Sequence, residues 1–238
     1  MKRDIILLSV LTAAAFTVLV ALGTWQLQRL EWKQGLIAQL DERIHAEPVS
    51  LSQAVSGLEA GQDVRFLRVQ AKGEFLHGKE RHLYTVEGGK VGWRVITPLE
   101  LSSGGIVLVD RGIVPEHLKE AGSRPQTTPE GWALVTGIVR LPGEKGYFTP
   151  ENSPGTNTWY WRDLDAMAAS VLSKDQVGRL VPFFIQQEMM PSMTGGPKAG
   201  YSNLELPNRH LEYAFTWFSL AGVLLVVFAI YLRSRLRA

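Results

Sequence analysis

The chain has no cysteine among its 238 residues. That excludes disulfides, thiolate metal sites and thiol redox chemistry, and with them a copper chaperone working through cysteine pairs. It also has little net charge. Lys and Arg number 25 against 23 Asp and Glu, a formal balance of +2, which is too small to point to nucleic acid. The common enzyme signatures are missing too: there is no G-x-S-x-G, no H-E-x-x-H, no P-loop and no G-x-G-x-x-G. No internal repeat or low-complexity tract appears. What the chain does have is apolar residues gathered at its two ends.

Ile5 to Leu22 is uncharged over eighteen residues, and Tyr213 to Leu232 over twenty. At about 1.5 Å rise per residue, each run spans roughly the 30 Å hydrocarbon core of a bilayer. The expected organisation is a transmembrane helix with its extension over 1–46, a β-rich domain over 47–206, and a second transmembrane helix with a basic tail over 207–238. The first run is longer than a signal-peptide core of about 7–15 residues, and Leu22 before Gly23 is a poor cleavage site, so an uncleaved anchor is expected. Lys2 and Arg3 precede the first span, and Arg233, Arg235 and Arg237 follow the second. Short basic tails stay cytoplasmic while a long loop crosses largely regardless of its charge, so the middle of the chain is expected to face outwards, which in a bacterium is the periplasm.

Beyond the first span, helical spacing continues through "GTWQLQRLEWKQGLIAQLDERI" and ends before Pro48. "SLSQAVSG" suits a short helix before Gly57. From Val64 the period becomes two. "VRFLRVQAKGEFL", with a bulge or bend at Gly73, leads to the hairpin "ERHLYTVEG"/"KVGWRVITPLEL" around Gly88-Gly89. "GGIVLVDRGIV", "GWALVTGIVRL", "NTWYWRD" and "VPFFIQQEM" supply four more strands. "DLDAMAASVLSK" reads as a helix capped by Asp163. The loops "EAGSRPQTTPEG" and "MMPSMTGGPKAGYSNLELP" are rich in Gly, Pro and Ser, the second suiting a flexible lead into the last helix. The fold class is therefore two transmembrane α-helices bracketing an extracytoplasmic α+β domain, mainly antiparallel β, of about seven strands and curled towards a barrel.

His77 and His82 lie across a turn in "HGKERH", either as an exposed hairpin tip or as two of the ligands of a metal. Asp110 and Arg111 are adjacent in "VDRG" and so on opposite strand faces, where an inward charge requires an ion-pair partner. Asp163 and Asp165 open a helix, where the dipole favours carboxylates. Trp25, Arg29 and Trp32 fall at i, i+4 and i+7 on one helical face, as an interfacial aromatic belt or as part of a site. His210, Tyr213 and Trp217 make a similar stripe on the second span. There a histidine either snorkels to the interface or ligates, imidazole being a common axial ligand of haem iron.

"LGTWQLQRLEWKQGLI" has the form G-x-W-Q-x-x-R-x-x-W-K, filled by Gly23, Trp25, Gln26, Arg29, Trp32 and Lys33. In this the chain resembles the surfeit locus protein family of cytochrome c oxidase assembly factors, in its bacterial type. The similarity continues in order through "GWRVITPLEL", "VLVDRGIVP", "YFTPENSPGTNTWYWRDLDAMA" and "PNRHLEYAFTWFSLAG". The chain departs at Ile113 and Asp110, where members often carry Trp and Asn. The resemblance implies a non-enzymatic factor of the inner membrane that binds haem a transiently. Its partners would be oxidase subunit I and the enzymes of haem a synthesis. It implies His210 as axial ligand of the iron. Trp25, Trp32, Tyr213 and Trp217 would then wall the macrocycle, and Arg29 would pair with a propionate. Glu212 would be solvated at the interface or would tune His210. The alternatives are a membrane-anchored scaffold that binds partner proteins and no haem, and an anchored periplasmic enzyme.

Overall fold

The computed structural model describes residues 2–87, 89–124, 131–188, 196–200 and 208–237. The chain divides into two compact units: Met1–Asp41 with Glu205–Ala238, and Glu42–Leu204.

The first unit is a pair of helices. α1 (Lys2–His45) runs unbroken for 44 residues, about 66 Å. No proline interrupts it, and Pro48 stands just beyond its end. α5 (His210–Arg237) is the C-terminal partner. Both are long and apolar enough to cross a membrane, and their apolar windows are almost wholly exposed. Nineteen of the 27 large hydrophobic residues exposed among the described residues lie on these two helices, which makes a surface for lipid tails and not for water.

The helices pack along a seam of every third or fourth residue. On α1, Thr12, Phe16, Leu19, Gly23 and Gln26 are buried or half-buried; on α5, His210, Ala214, Trp217, Ala221, Leu224, Phe228 and Tyr231 are. Small residues dominate where burial is deepest: Ala214 is 1% exposed and Ala221 3%. A Cβ on Gly23 would stand 2.7 Å from the Phe218 ring, so the bare backbone there lets the ring lie against α1. Small-residue seams are how apolar helices approach closely when no hydrophobic driving force separates them from lipid.

The second unit is a sheet that closes on itself. Its strands are β1 (Val49–Ser50), β2 (Arg68–Phe75), β3 (Arg81–Glu87), β4 (Lys90–Leu101), β5 (Ile106–Pro115), β6 (Trp132–Arg140), β7 (Thr158–Trp159) and β8 (Leu180–Gln187). Their order is β1-β2-β6-β8-β5-β4-β3-β7, and the extra β2–β4 pairing joins β2, β6, β8, β5 and β4 into a ring. One face carries the main core of Val69, Ala71, Leu99, Val107, Val109, Val135, Phe183 and Ile185, covered in part by Leu51 and Ala54 of α2 (Leu51–Glu59). On the opposite face Leu108, Ile96 and Phe184 pack against Trp159 and against Leu164 and Met167 of α3 (Leu164–Ala169). The short α4 (Lys174–Val177) follows.

The expected class holds: two apolar helices bracket a β-rich domain built around a mixed barrel. The details differ in instructive ways. Among the described residues there are eight strands, and three pairings are parallel: β1–β2, β3–β7 and β5–β8. β1 is only two residues long, too short to show a period, and is followed at once by the capping box of Ser50 and Gln53 that starts α2. α2 runs past Gly57, and β7 keeps just two residues of "NTWYWRD". β2 begins at Arg68, later than the alternation suggests, because Phe66 takes a left-handed φ of 62°.

Gly73 makes no bulge. It pairs in register with Leu101 on one side and Ala133 on the other. Its Cβ would lie 2.4 Å from the Glu100 carbonyl oxygen, so glycine is needed where the ring closes. The bulge falls instead in β5, between the pairs Ile96–Asp110 and Arg94–Ile113, with Gly112 at φ 117°. The β3–β4 hairpin turns at Gly89, φ 76°, between paired Glu87 and Lys90; Gly88 lies outside the described residues. So does most of the glycine-rich lead into α5.

Candidate functional site

His210 opens α5, and its imidazole turns into the seam. Nδ1 lies 2.7 Å from Oε1 of Gln26, which is 9% exposed on α1. An amide oxygen only accepts, so in this contact Nδ1 is the donor. In a neutral ring that pairing leaves the lone pair on Nε2. Nε2 has no hydrogen-bond partner among the described residues. Metal-binding histidines are typically oriented in this way, the second nitrogen donating to an acceptor that sets tautomer and angle.

Of the other predicted site residues, Trp217 stands two turns further along the seam, half-buried, with an indole N–H that has no acceptor among the described residues. Tyr213, Trp25 and Trp32 are 55%, 52% and 54% exposed. The Arg29 guanidinium lies over the Trp32 ring, 3.9 Å from its centroid, as a cation–π pair on the outer surface of α1. Thus the seam brings together His210, Trp217 and Gln26, while Trp25, Arg29, Trp32 and Tyr213 present aromatic and cationic surface outside it. Glu212 is exposed in the first turn of α5. Gln26 is the residue that the stripe analysis misses. Its signal is the seam spacing: it stands three residues after Gly23 and fourteen after Thr12.

Two ionic clusters are buried in the sheet unit. Asp110 is fully buried, and its Oδ2 accepts from Arg94 Nε at 2.6 Å and from Arg162 Nη2 at 3.2 Å. Its Oδ1 accepts from the Gly112 backbone at 3.2 Å, so the bulge itself supplies a donor. Burial opposes ionisation of Asp110, but the two guanidinium groups outweigh it and hold the carboxyl below its usual range. Arg111 points to the other side and is buried as well, with its guanidinium over the Phe75 ring and its Nη1 donating to His77 Nδ1. Burial pushes Arg111 down to about 10. Both faces of this strand end are covered, so both members of the Asp-Arg dipeptide need partners.

The second cluster centres on Glu80, which accepts from Arg124 and from His82 Nε2. Asn157 donates to His82 Nδ1, and its Oδ1 accepts from the His82 backbone and from the Trp159 indole. Burial works against ionising Glu80; the hydrogen bond from His82 and the charge of Arg124 pull it below its ordinary value. His82 is 2% exposed, not a hairpin tip: it lies within β3, paired to Val95 and Thr158. His77 and His82 each have separate partners, and among the described residues no three His, Cys, Asp or Glu side chains stand together as metal ligands. Asp163 caps α3 by accepting from the Ala166 backbone, and Asp165 follows in its first turn.

The sequence model of the SURF1 family matches residues 13–222, from within α1 to within α5. Surfeit locus protein 1 of Mus musculus is 35% identical over 217 residues, 84% of this chain and 68% of the mouse protein. The Homo sapiens protein of the same name is 34% identical over 218 residues, 84% of this chain and 69% of its own. A SURF1-like protein of Monosiga brevicollis is 32% identical over 231 residues, 92% and 84% of the two chains. The family match reaches into both apolar helices and takes in every described strand between them, and the chain belongs to the SURF1 family.

Proposed function

We propose that this protein is an assembly factor for cytochrome c oxidase that holds haem a through His210 and assists its delivery to oxidase subunit I. The carrying observation is the hydrogen bond between His210 Nδ1 and Gln26 Oε1, which orients the imidazole and leaves Nε2 as the nitrogen for iron. Family membership and the two membrane-length helices support the setting. The factor would sit in the inner membrane with both termini cytoplasmic, its sheet unit in the periplasm, and subunit I and the haem a synthesis enzymes as partners.

Haem a joins a farnesyl tail to two carboxylates, so a ligand at a helix end can satisfy lipid and water together. Trp217, Tyr213, Trp25 and Trp32 offer aromatic surface for the macrocycle, and Arg29 a cation for a propionate. A single imidazole ligand suits a carrier, which must release what it binds. The role proposed is binding and transfer, without catalysis.

The test is co-expression with the haem a synthesis enzymes, followed by the absorption spectrum of the purified protein. His210→Ala should lose most bound haem a while still inserting and folding. His210→Met should keep pigment with a shifted spectrum, because thioether ligation changes the iron's electronics. Gln26→Leu should weaken retention about 10–100-fold, as loss of an orienting partner does. A His210→Ala protein carrying its full complement of haem a would return the function to scaffolding.

A further inference from the structure

We propose that the sheet unit contains a binding site for a small oxyanion, a carboxylate or phosphate group, formed by Arg140 and Arg162 beside Asp110. This does not rest on the haem reading and involves none of its residues.

Arg140 ends β6 and pairs with Phe184 of β8, which pairs in turn with Leu108 of β5. Alternation then puts Arg140 and Asp110 on one face of the sheet. Asp110 has little left to offer: Oδ2 is shared by Arg94 and Arg162, and Oδ1 is taken by the Gly112 backbone. Two guanidinium nitrogens therefore stay unsatisfied. Arg140 Nη1 and Arg162 Nε are both buried and have no acceptor among the described residues. Buried donors without partners are rare in native proteins, and each calls for a ligand or a reason.

The electrostatics agree. Burial above all, together with the nearby charges of Arg162 and Arg94 and against the pull of Asp110, brings Arg140 down to about 10. Each residue is half-buried as a whole, so part of its side chain meets solvent although these two nitrogens are covered. Arg140 is also held in place, its guanidinium 5.1 Å from the centroid of the Phe66 ring. Phe66 adopts φ 62°, a conformation unfavourable for a bulky L-residue and retained mostly where surrounding structure demands it. A planar fork fixed by an aromatic ring, with a buried N–H that no acceptor fills, matches the geometry by which arginine grips carboxylate and phosphate.

The experiment titrates the full chain in neutral detergent with inorganic phosphate and, separately, with acetate, at ionic strength matched by chloride. Thermal stability and the arginine side-chain Nε resonances are recorded. Saturable stabilisation by one of the anions, with shifts at Arg140 and Arg162, is expected, and the tighter binder identifies the group recognised. Arg140→Met should reduce affinity at least tenfold and, by removing an unpaired buried cation, should raise the melting temperature in the absence of anion. A purely structural arginine predicts a lower melting temperature. Should Arg140→Met fail to fold, Arg140→Lys decides, because it keeps the charge but loses the fork: affinity reduced threefold or more supports the site, and unchanged affinity overturns it. The absence of a saturable response to either anion in the native chain also overturns it.

Discussion

The helix pair and the sheet unit solve opposite solvation problems with the same twenty side chains. In the pair, apolar residues face outwards and the buried positions go to Ala214, Ala221, Gly23 and Thr12, with a polar contact between Gln26 and His210. In the sheet unit the large apolar residues are inside, and so are several charges: Asp110, Arg94, Arg111, Arg124 and Glu80. Close backbone approach holds the first together, hydrophobic burial the second. A lone interhelical hydrogen bond in a seam contributes about 0.6–2 kcal/mol, and breaking it leaves most of the packing in place. Removing one partner from a buried ion cluster costs several times more. The helix pair can thus use its polar contact for binding, whereas the paired charges Asp110, Arg94, Glu80 and Arg124 of the sheet unit are tied to its stability.

The contrast is most easily broken at Asp110. Asp110→Ala removes the carboxylate between Arg94 and Arg162 and should cost about 3–5 kcal/mol. In a chain of this size that lowers the melting temperature by roughly 6–20 °C, read by near-UV circular dichroism in detergent. A drop under about 3 °C would mean that water already satisfies the cluster.

A smaller effect is expected in the seam. Gly23→Leu forces a side chain into the space of the Phe218 ring and should cost about 1–3 kcal/mol. The damage should stay within the pair. Because the chain has no native cysteine, cysteines at Gln26 and His210 can be joined by a short bismaleimide. The added Gly23→Leu should slow that crosslink several-fold and leave the transition of the sheet unit where it was. If the sheet transition moved instead, the independence of the two regions would fail.

The smallest effect comes from acid. Asp110 and Glu80 are held below their ordinary values in the folded state. Their stabilisation is therefore complete above their unfolded pKa values, about 3.9 and 4.3, and is lost as pH falls through the lower folded ones. The melting temperature should be lower by about 2 °C at pH 4 than at pH 6, and should fall faster below that. The buried seam residues of the helix pair include no carboxylate, so this loss should appear in the sheet transition and not in the helix pair. A melting temperature flat to pH 3 would show that these carboxyl groups protonate as easily folded as unfolded.

Much of this was legible in order along the chain, because the signals involved are local. Uncharged runs of eighteen and twenty residues declare membrane-length helices whatever surrounds them. Alternation marked the long strands, Gly88-Gly89 the hairpin, and Asp163 its helix start, each through the conformational preference of a few adjacent residues. The tertiary structure alone decided what depends on partners distant in sequence. β1 is a strand only because β2 lies beside it, and Gly73 is glycine because Glu100 passes 2.4 Å from its missing Cβ. Gln26 read as one letter of a motif until α5 brought His210 against it across 184 residues. Arg94, Arg140 and Arg162 carry no local signal of a shared role; the ring of strands and the segment before α3 gather them round one carboxylate. Side-chain type and local period set what each segment can become, whereas the electrostatic and hydrogen-bonding role of a charged group depends on which neighbours share its low-dielectric surroundings, and those are chosen by the fold.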